Sequence, residues 1–230
     1  VKKMAGRGRQ HTQNGARGLP IAGLQLASQA AILAIAFTTA GRAEDAVSKH
    51  DLQAKMTYCK TCHGSSGQGL RAYYSIPRLA GQQPEYLTNQ LRAFAERRRT
   101  NNIMFNVAHV LTPAMQKALV TDFHELNPRP LGGAPKDLVV AGKKIYEEGI
   151  PGANIPPCTS CHGPDAKGNE QFPRLAGQLH DYIFSKLKNW TKERGQNPKE
   201  PDISAIMEPI AHGLTESQIE AVAAYVSYLE

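Results

Sequence analysis

The chain has 230 residues with 27 Lys and Arg against 20 Asp and Glu, a formal net charge of +7, and its length allows one large domain or two small ones. Such a charge would suit nucleic acid, but its distribution excludes that partner. Lys2, Lys3, Arg7, Arg9, Arg17 and Arg42 all lie in the first 43 positions, which hold no acid, and the remainder is nearly neutral at 21 basic against 20 acidic residues.

That basic start opens a stretch with the pattern of a secretory signal peptide: a cationic region, an apolar run from Leu19 to Ala40 with its dense core at Ala30–Phe37, then small residues. The leader is expected to cover residues 1–43, with cleavage after Ala40 or Ala43. A retained membrane anchor is the competing reading, but Gln25, Ser28 and Gln29 interrupt the run, and a span needs about 20 predominantly apolar residues. There is no twin-arginine pair, which points to Sec-type export.

The first motif is Cys59-Lys60-Thr61-Cys62-His63, and it returns as Cys158-Thr159-Ser160-Cys161-His162. Two thiols three residues apart on one helical turn can each bond a porphyrin vinyl group, and the adjacent histidine then lies under the ring, where it can ligate the iron. A zinc ribbon also pairs C-x-x-C motifs, but at a separation of about 15–20 residues; here 95 residues separate Cys62 from Cys158. A thioredoxin-like redox pair needs a strand-helix-strand setting, which neither copy has. All four cysteines belong to these motifs, so the expected cofactors are two covalently bound haem c groups.

The repeat extends well beyond the cysteines. Pro77-Arg78-Leu79-Ala80-Gly81-Gln82 returns as Pro173-Arg174-Leu175-Ala176-Gly177-Gln178, and Tyr86, Leu91 and Phe94 fall on Tyr182, Leu187 and Trp190. Met104–Leu126 overlays Met207–Leu229, pairing Ala108 with Ala211, His109 with His212, Leu111 with Leu214 and Thr112 with Thr215. The repeat implies a first domain at 44–127, a Pro- and Gly-rich linker at 128–136 that cannot sustain a helix, and a second domain at 137–230. Each is small enough for a hydrophobic core to be marginal, so a haem would supply much of the apolar interior. The fold class is all-α. Helices are expected over Pro84–Arg97, Asp137–Glu148 and His180–Arg194, with a last helix in each half: Thr112 caps the first with Pro113 at N1, and Thr215 caps the second with Gln218 at N3 in a capping box.

With His63 and His162 on one side of each iron, the sixth position decides between a carrier and an enzyme. Met104 and Met207 recur in the stretch before the last helix, read here as a loop, and a thioether there would raise the potential; core methionines are the alternative. His109 and His212 recur too and would give bis-histidine sites. Met115 has Gln218 as its counterpart, and Met56 has no equivalent methionine. His50, His124 and His180 have no matching histidine and are expected at the surface.

Both C-x-x-C-H-G motifs, both P-x-L-A-G-Q segments and the M-x-x-I-A-x-x-L-T pattern of Met207–Thr215, looser at Met104–Thr112, make the chain resemble the dihaem cytochromes c of the cytochrome c4 family from about residue 44 to the end. The resemblance implies two tandem class-I-like cytochrome c domains, His/Met ligation by His63 with Met104 and His162 with Met207, export to the periplasm, and electron delivery towards a terminal oxidase. It implies further that Pro77 and Pro173 offer carbonyls to the proximal histidines, that Leu79 and Leu175 pack on the rings, and that Arg78 and Arg174 pair with propionates, against the competing reading of solvated arginines. The first half departs from the pattern: Asp122-Phe123-His124 stands where Tyr225-Val226-Ser227 stands in the second, and Phe105-Asn106 where Glu208-Pro209 does.

Residues 44–127 hold 10 basic and 7 acidic side chains and 137–230 hold 9 and 13, a dipole that can steer charged redox partners. Arg97-Arg98-Arg99 is read as a local basic patch, either a docking site or a solvated helix end. The leading expectation is an electron carrier that converts no substrate, taking electrons from a quinol-oxidising complex or dehydrogenase and meeting the membrane through a partner or a retained leader. An electron-accepting subunit of a periplasmic dehydrogenase complex is the first alternative. A peroxidase-like dihaem enzyme with one open iron is the second.

Overall fold

The computed structural model describes residues 46–194 and 203–230, all within a compact unit that runs from Arg42 to Glu230. The expected leader lies outside the described residues. The described chain is helical: α1 (Lys49–His63), α2 (Pro84–Ala95), α3 (Asn102–Ala108), α4 (Pro113–Glu125), α5 (Val139–Glu148), α6 (Thr159–His162), α7 (His180–Lys188), α8 (Trp190–Glu193), α9 (Met207–Gly213) and α10 (Glu216–Tyr228). Extended pairing among the described residues is limited to isolated bridges such as Leu70 with Ile76 and Arg99 with Arg194. No helix among them is long and apolar enough to cross a membrane.

The helix starts follow side-chain capping. The Ser48 hydroxyl accepts from the Asp51 N–H at 3.0 Å to open α1, and Thr112 accepts from the Met115 N–H at 3.2 Å ahead of Pro113 in α4. At α10 the expected capping box is complete: the Gln218 N–H donates to Thr215 Oγ1 at 3.3 Å and the Thr215 N–H to Gln218 Oε1 at 2.9 Å. Three expected boundaries differ. Helix α2 stops at Ala95, because Arg97 takes a left-handed φ of 56°. The helix expected over His180–Arg194 breaks at Asn189 into α7 and α8. Met104 and Met207 lie on the short helices α3 and α9 rather than in loops.

Each half closes round its last helix. Helix α4 packs on α1 and α2 over Met56, Leu87, Leu119, Val120 and Phe123. Helix α10 packs on α5 and α7 over Tyr146, Ile183, Val222, Ala223, Tyr225 and Val226. The two P-R-L-A-G-Q segments lie between the halves. The Gly81 N–H donates to Phe123 O at 2.8 Å and the Gly177 N–H to Val226 O at 2.9 Å. Both glycines have positive φ, 71° and 68°, and a Cβ on either would stand 3.3 or 3.2 Å from a guanidinium nitrogen of the other half, Arg174 Nη1 or Arg78 Nη1. Glycine therefore satisfies backbone and space together. The connecting stretch is pinned at both ends: Pro128 O accepts from Arg78 Nη1 at 2.8 Å and Ala134 O from the Tyr228 hydroxyl at 2.6 Å.

Candidate haem sites

In the first half, Cys59, Cys62 and His63 occupy the last turn of α1, which Gly64 ends at φ 86°. Cys62 is exposed, Cys59 is partly buried and His63 is 8% exposed. His63 Nδ1 lies 2.9 Å from Pro77 O. A carbonyl can only accept, so Nδ1 carries the proton and Nε2 keeps its lone pair, the form that ligates iron. Burial lowers the pKa of His63, with the Pro77 carbonyl opposing it, and burial raises that of Cys59. Leu79 packs at the edge of the same core. Met104 is partly buried in the first turn of α3, where Asn101 Oδ1 accepts from its N–H at 2.9 Å.

The second site is reached by a different route. The helix that leads to it ends at Gly149, the chain crosses an Ile150–Ile155 bridge and Pro156-Pro157, and Cys158 then caps the one-turn α6 that carries Cys161 and His162. His162 is 5% exposed and its Nδ1 lies 2.9 Å from Pro173 O, matching the first site. Burial pushes the Cys158 thiol up to about 11 and lowers the pKa of His162. Leu175 packs against the second core, and Met207 is partly buried at the start of α9. Tyr146 escaped the sequence reading: fully buried on α5, it donates to Gly163 O at 2.6 Å and so fixes the residue after the haem motif. Its apolar neighbours Ile145 and Val139 on the same helix were the available signal.

The arginines correct two expectations. Arg78 and Arg174 are 3% and 7% exposed, so neither is a solvated surface group. Arg78 donates from Nε to Ala80 O at 2.9 Å, from Nη1 to Pro128 O and from Nη2 to Asn127 Oδ1, and burial followed by the nearby Arg174 charge pulls its pKa down to about 10. Arg174 donates from Nε to Ala176 O at 3.0 Å while its Nη2 is buried without a partner. The Arg97–Arg99 run is not a basic surface patch, because Arg98 and Arg99 are 6% and 7% exposed. Arg97 lies over the Phe105 ring at 3.7 Å, and Arg98 pairs with Glu96 at 2.7 Å.

Arg99 belongs to a knot between the halves that the sequence reading missed. It donates from Nη1 to Gln90 Oε1 at 2.7 Å and from Nη2 to the Tyr182 hydroxyl at 2.8 Å, while Arg194 Nη1 reaches the same Gln90 oxygen at 3.0 Å. The guanidinium groups lie over Phe94 and Trp190, a pair that recurs in the repeat. Burial acts to raise the pKa of Tyr182, but the cations of Arg99, Lys186 and Arg194 outweigh it and hold the phenol below its ordinary value. Arg99 Nε is buried without a hydrogen-bond partner.

The competing histidines, His109 and His212, are both exposed. His109 is exposed, its ring stacked on Phe105 at 4.9 Å and its Nδ1 2.8 Å from Phe105 O. His212 is exposed, with Nε2 3.5 Å from Thr191 Oγ1. His50 is exposed as expected, and His124, exposed overall, has Nδ1 2.9 Å from Gln82 O. His180 departs from its surface expectation, with a side chain only 15% exposed and Nε2 buried without a partner.

These residues suit a haem on the chemistry of the donor set. Each motif presents two adjacent thiols and a histidine already held in its iron-ligating tautomer. Among the described residues no three His, Cys, Asp or Glu side chains converge to hold a metal ion. The buried N–H left over at Arg174 Nη2, next to the Pro173 that holds His162, suits a carboxylate that a haem carries.

Comparison with known proteins agrees with this geometry. The cytochrome c family model matches residues 139–230. Cytochrome c-552 of Acidithiobacillus ferridurans is 34% identical over 201 residues, 83% of either chain. The thiosulfate dehydrogenase electron acceptor of Thiomonas intermedia is 35% identical over 176 residues, 74% of this chain and 77% of that one. The solved cytochrome c4 of Acidithiobacillus ferrooxidans superposes with a TM-score of 0.63 at 34% identity, covering 75% of this chain and 99% of that one.

Proposed function

The chain belongs to the cytochrome c4 family, dihaem electron-transfer proteins with two covalently bound haem c groups, and on that premise we propose that His63 with Met104 and His162 with Met207 hold the two irons. The observation that carries the reading is the matched pair of buried histidines, each bonded through Nδ1 to a proline carbonyl at 2.9 Å. The methionines are favoured for the sixth positions because both are partly buried on equivalent short helices, while His109 and His212 are exposed.

The bound irons supply reversible one-electron exchange, at a potential raised by thioether ligation. The chain's residues do the rest. Pro77 and Pro173 orient the histidines, Leu79 and Leu175 exclude water, and Arg174, of the two arginines expected at the propionates, has a spare N–H to offer a haem carboxylate. On this reading 44–127 and 137–230 are the two domains, 128–136 joins them, and neither converts a substrate. The protein works in the periplasm after removal of its leader, or at the membrane through a partner, and passes electrons towards a terminal oxidase. The basic first half and acidic second half orient it on charged partners, an effect that fades with salt.

A second reading is favoured by the likeness to the Thiomonas electron acceptor: the chain receives electrons within a dehydrogenase complex. Copurification with a catalytic chain distinguishes the two. The test of ligation is the far-red absorption of the ferric protein, where methionine sulfur gives a band. Met104→Ala and Met207→Ala should each remove about half of it. A full band after either change sinks that assignment, and pyridine haemochrome analysis should count two covalent haems per chain.

A further inference from the structure

Each proximal histidine is connected to the opposite half through a single peptide group. Pro77 C=O accepts from His63 Nδ1, and the N–H of the same peptide, that of Arg78, donates to Gln178 Oε1 at 2.8 Å. The mirror arrangement runs from His162 through the Pro173–Arg174 peptide to Gln82 Oε1 at 2.7 Å. Both glutamines complete the contact from their other end: Gln178 Nε2 donates to Arg78 O and Gln82 Nε2 to Arg174 O, each at 3.0 Å. These bonds set the orientation of the two amides, since reversing either would place donor against donor and acceptor against acceptor. Gln82 and Gln178 are 5% and 6% exposed, so water does not compete for the bonds.

An amide is a conjugated unit. An acceptor on its N–H draws it towards the charge-separated form, which makes its carbonyl oxygen more negative, and in a buried setting such linked bonds strengthen one another. A more negative Pro77 oxygen pulls harder on the His63 Nδ1 proton and makes the imidazole a stronger donor through Nε2, favouring the ferric iron. We propose that the two halves tune each other's haem in a crossed pattern, Gln178 setting the donor strength of His63 and Gln82 that of His162. Neither glutamine touches the iron site; both are positioning residues that act through the peptide between them and the histidine.

The inference rests on the assignment of His63 and His162 as ligands, and the experiment separates the two. In the intact dihaem protein, Gln178→Leu and Gln82→Leu are compared by residue-assigned NMR of the histidine Nδ1 protons in the reduced state and by potentiometric titration. Gln178→Leu should shift the His63 proton upfield and raise the first haem's potential, with smaller changes at His162 and the second haem; Gln82→Leu should do the reverse. Equal shifts at both haems, a shift confined to the mutated half, or none at either histidine would overturn the proposal and leave the ligand assignment standing. Histidine protons without the ring-current shift of a haem ligand in the unaltered protein would overturn both. Where a Leu variant does not assemble with two haems, Gln178→Glu and Gln82→Glu keep an acceptor, and a stronger one, so the potentials should fall in the same crossed pattern.

Discussion

The first half fills its core with large side chains, while the second brings its backbones together. At matched positions of the last helix, Leu119, Val120 and Phe123 of α4 correspond to Val222, Ala223 and Val226 of α10, each smaller than its counterpart. The second half makes up the difference on α5. Gly142 lies so near α10 that a Cβ there would run into the Ala221 carbonyl, and Tyr146 reaches inward to Gly163. One plan thus admits two ways of filling the space beside a haem: side-chain volume in one half, and close helix approach with a single buried tyrosine in the other. Repeated sequence preserves the contacts that hold a cofactor more strictly than the means of packing round it.

The contrast breaks most visibly at Phe123, which is 3% exposed and whose ring would lie 3.2 Å from a Cβ on Gly67, four residues past His63. Phe123→Ala should cost about 4 kcal/mol, whereas Val226→Ala, which removes fewer atoms, should cost about 2 kcal/mol. Denaturant unfolding of the holoprotein measures both. Equal losses would show that α4 relaxes into the space and that the first core does not depend on side-chain volume.

Gly142→Ala probes the other half. Alanine is the better helix former by about 1 kcal/mol, so an exposed site would gain stability. Here the new methyl meets the Ala221 carbonyl, and a net loss of about 2 kcal/mol is expected as α5 and α10 separate. A thermal unfolding midpoint at or above that of the unaltered protein would mean that α5 and α10 part at little cost.

Much of this organisation was legible in the residues because the chain states it twice. The haem motifs, the P-R-L-A-G-Q segments, the two threonine caps and the helical class follow from local spacing and capping chemistry, which need no tertiary knowledge. What stayed hidden depends on the meeting of distant segments. Arg98 and Arg99 read as a charged patch because nothing local reveals that Gln90, Tyr182 and Arg194 gather round Arg99. Gln82 and Gln178 read as ends of a repeated segment, and only the facing of the two segments turns them into a reciprocal clasp. His180 lacked a matching histidine and so read as surface, yet α7 turns it inward. The break at Asn189 was missed because apolar periodicity continues across it, from Leu187 to Trp190.

The smallest test concerns a position where the halves differ in chemistry rather than in size. Gln218, at N3 of α10, accepts from the Thr215 N–H at 2.9 Å, whereas its counterpart Met115 on α4 packs against the first core. Gln218→Met removes a bond at an exposed helix start, where water replaces much of it, so the loss should be about 0.5 kcal/mol. Met115→Gln withdraws a partly buried thioether from the core but creates the box partner that Thr112 lacks, and a net loss of about 1 kcal/mol is expected. The second change also separates packing from ligation. The far-red band should survive Met115→Gln in full, because Met115 is assigned to the core and Met104 to the iron. A band reduced by half in that variant would move the first haem's sixth ligand from α3 to α4 and remove the functional equivalence of Met104 and Met207.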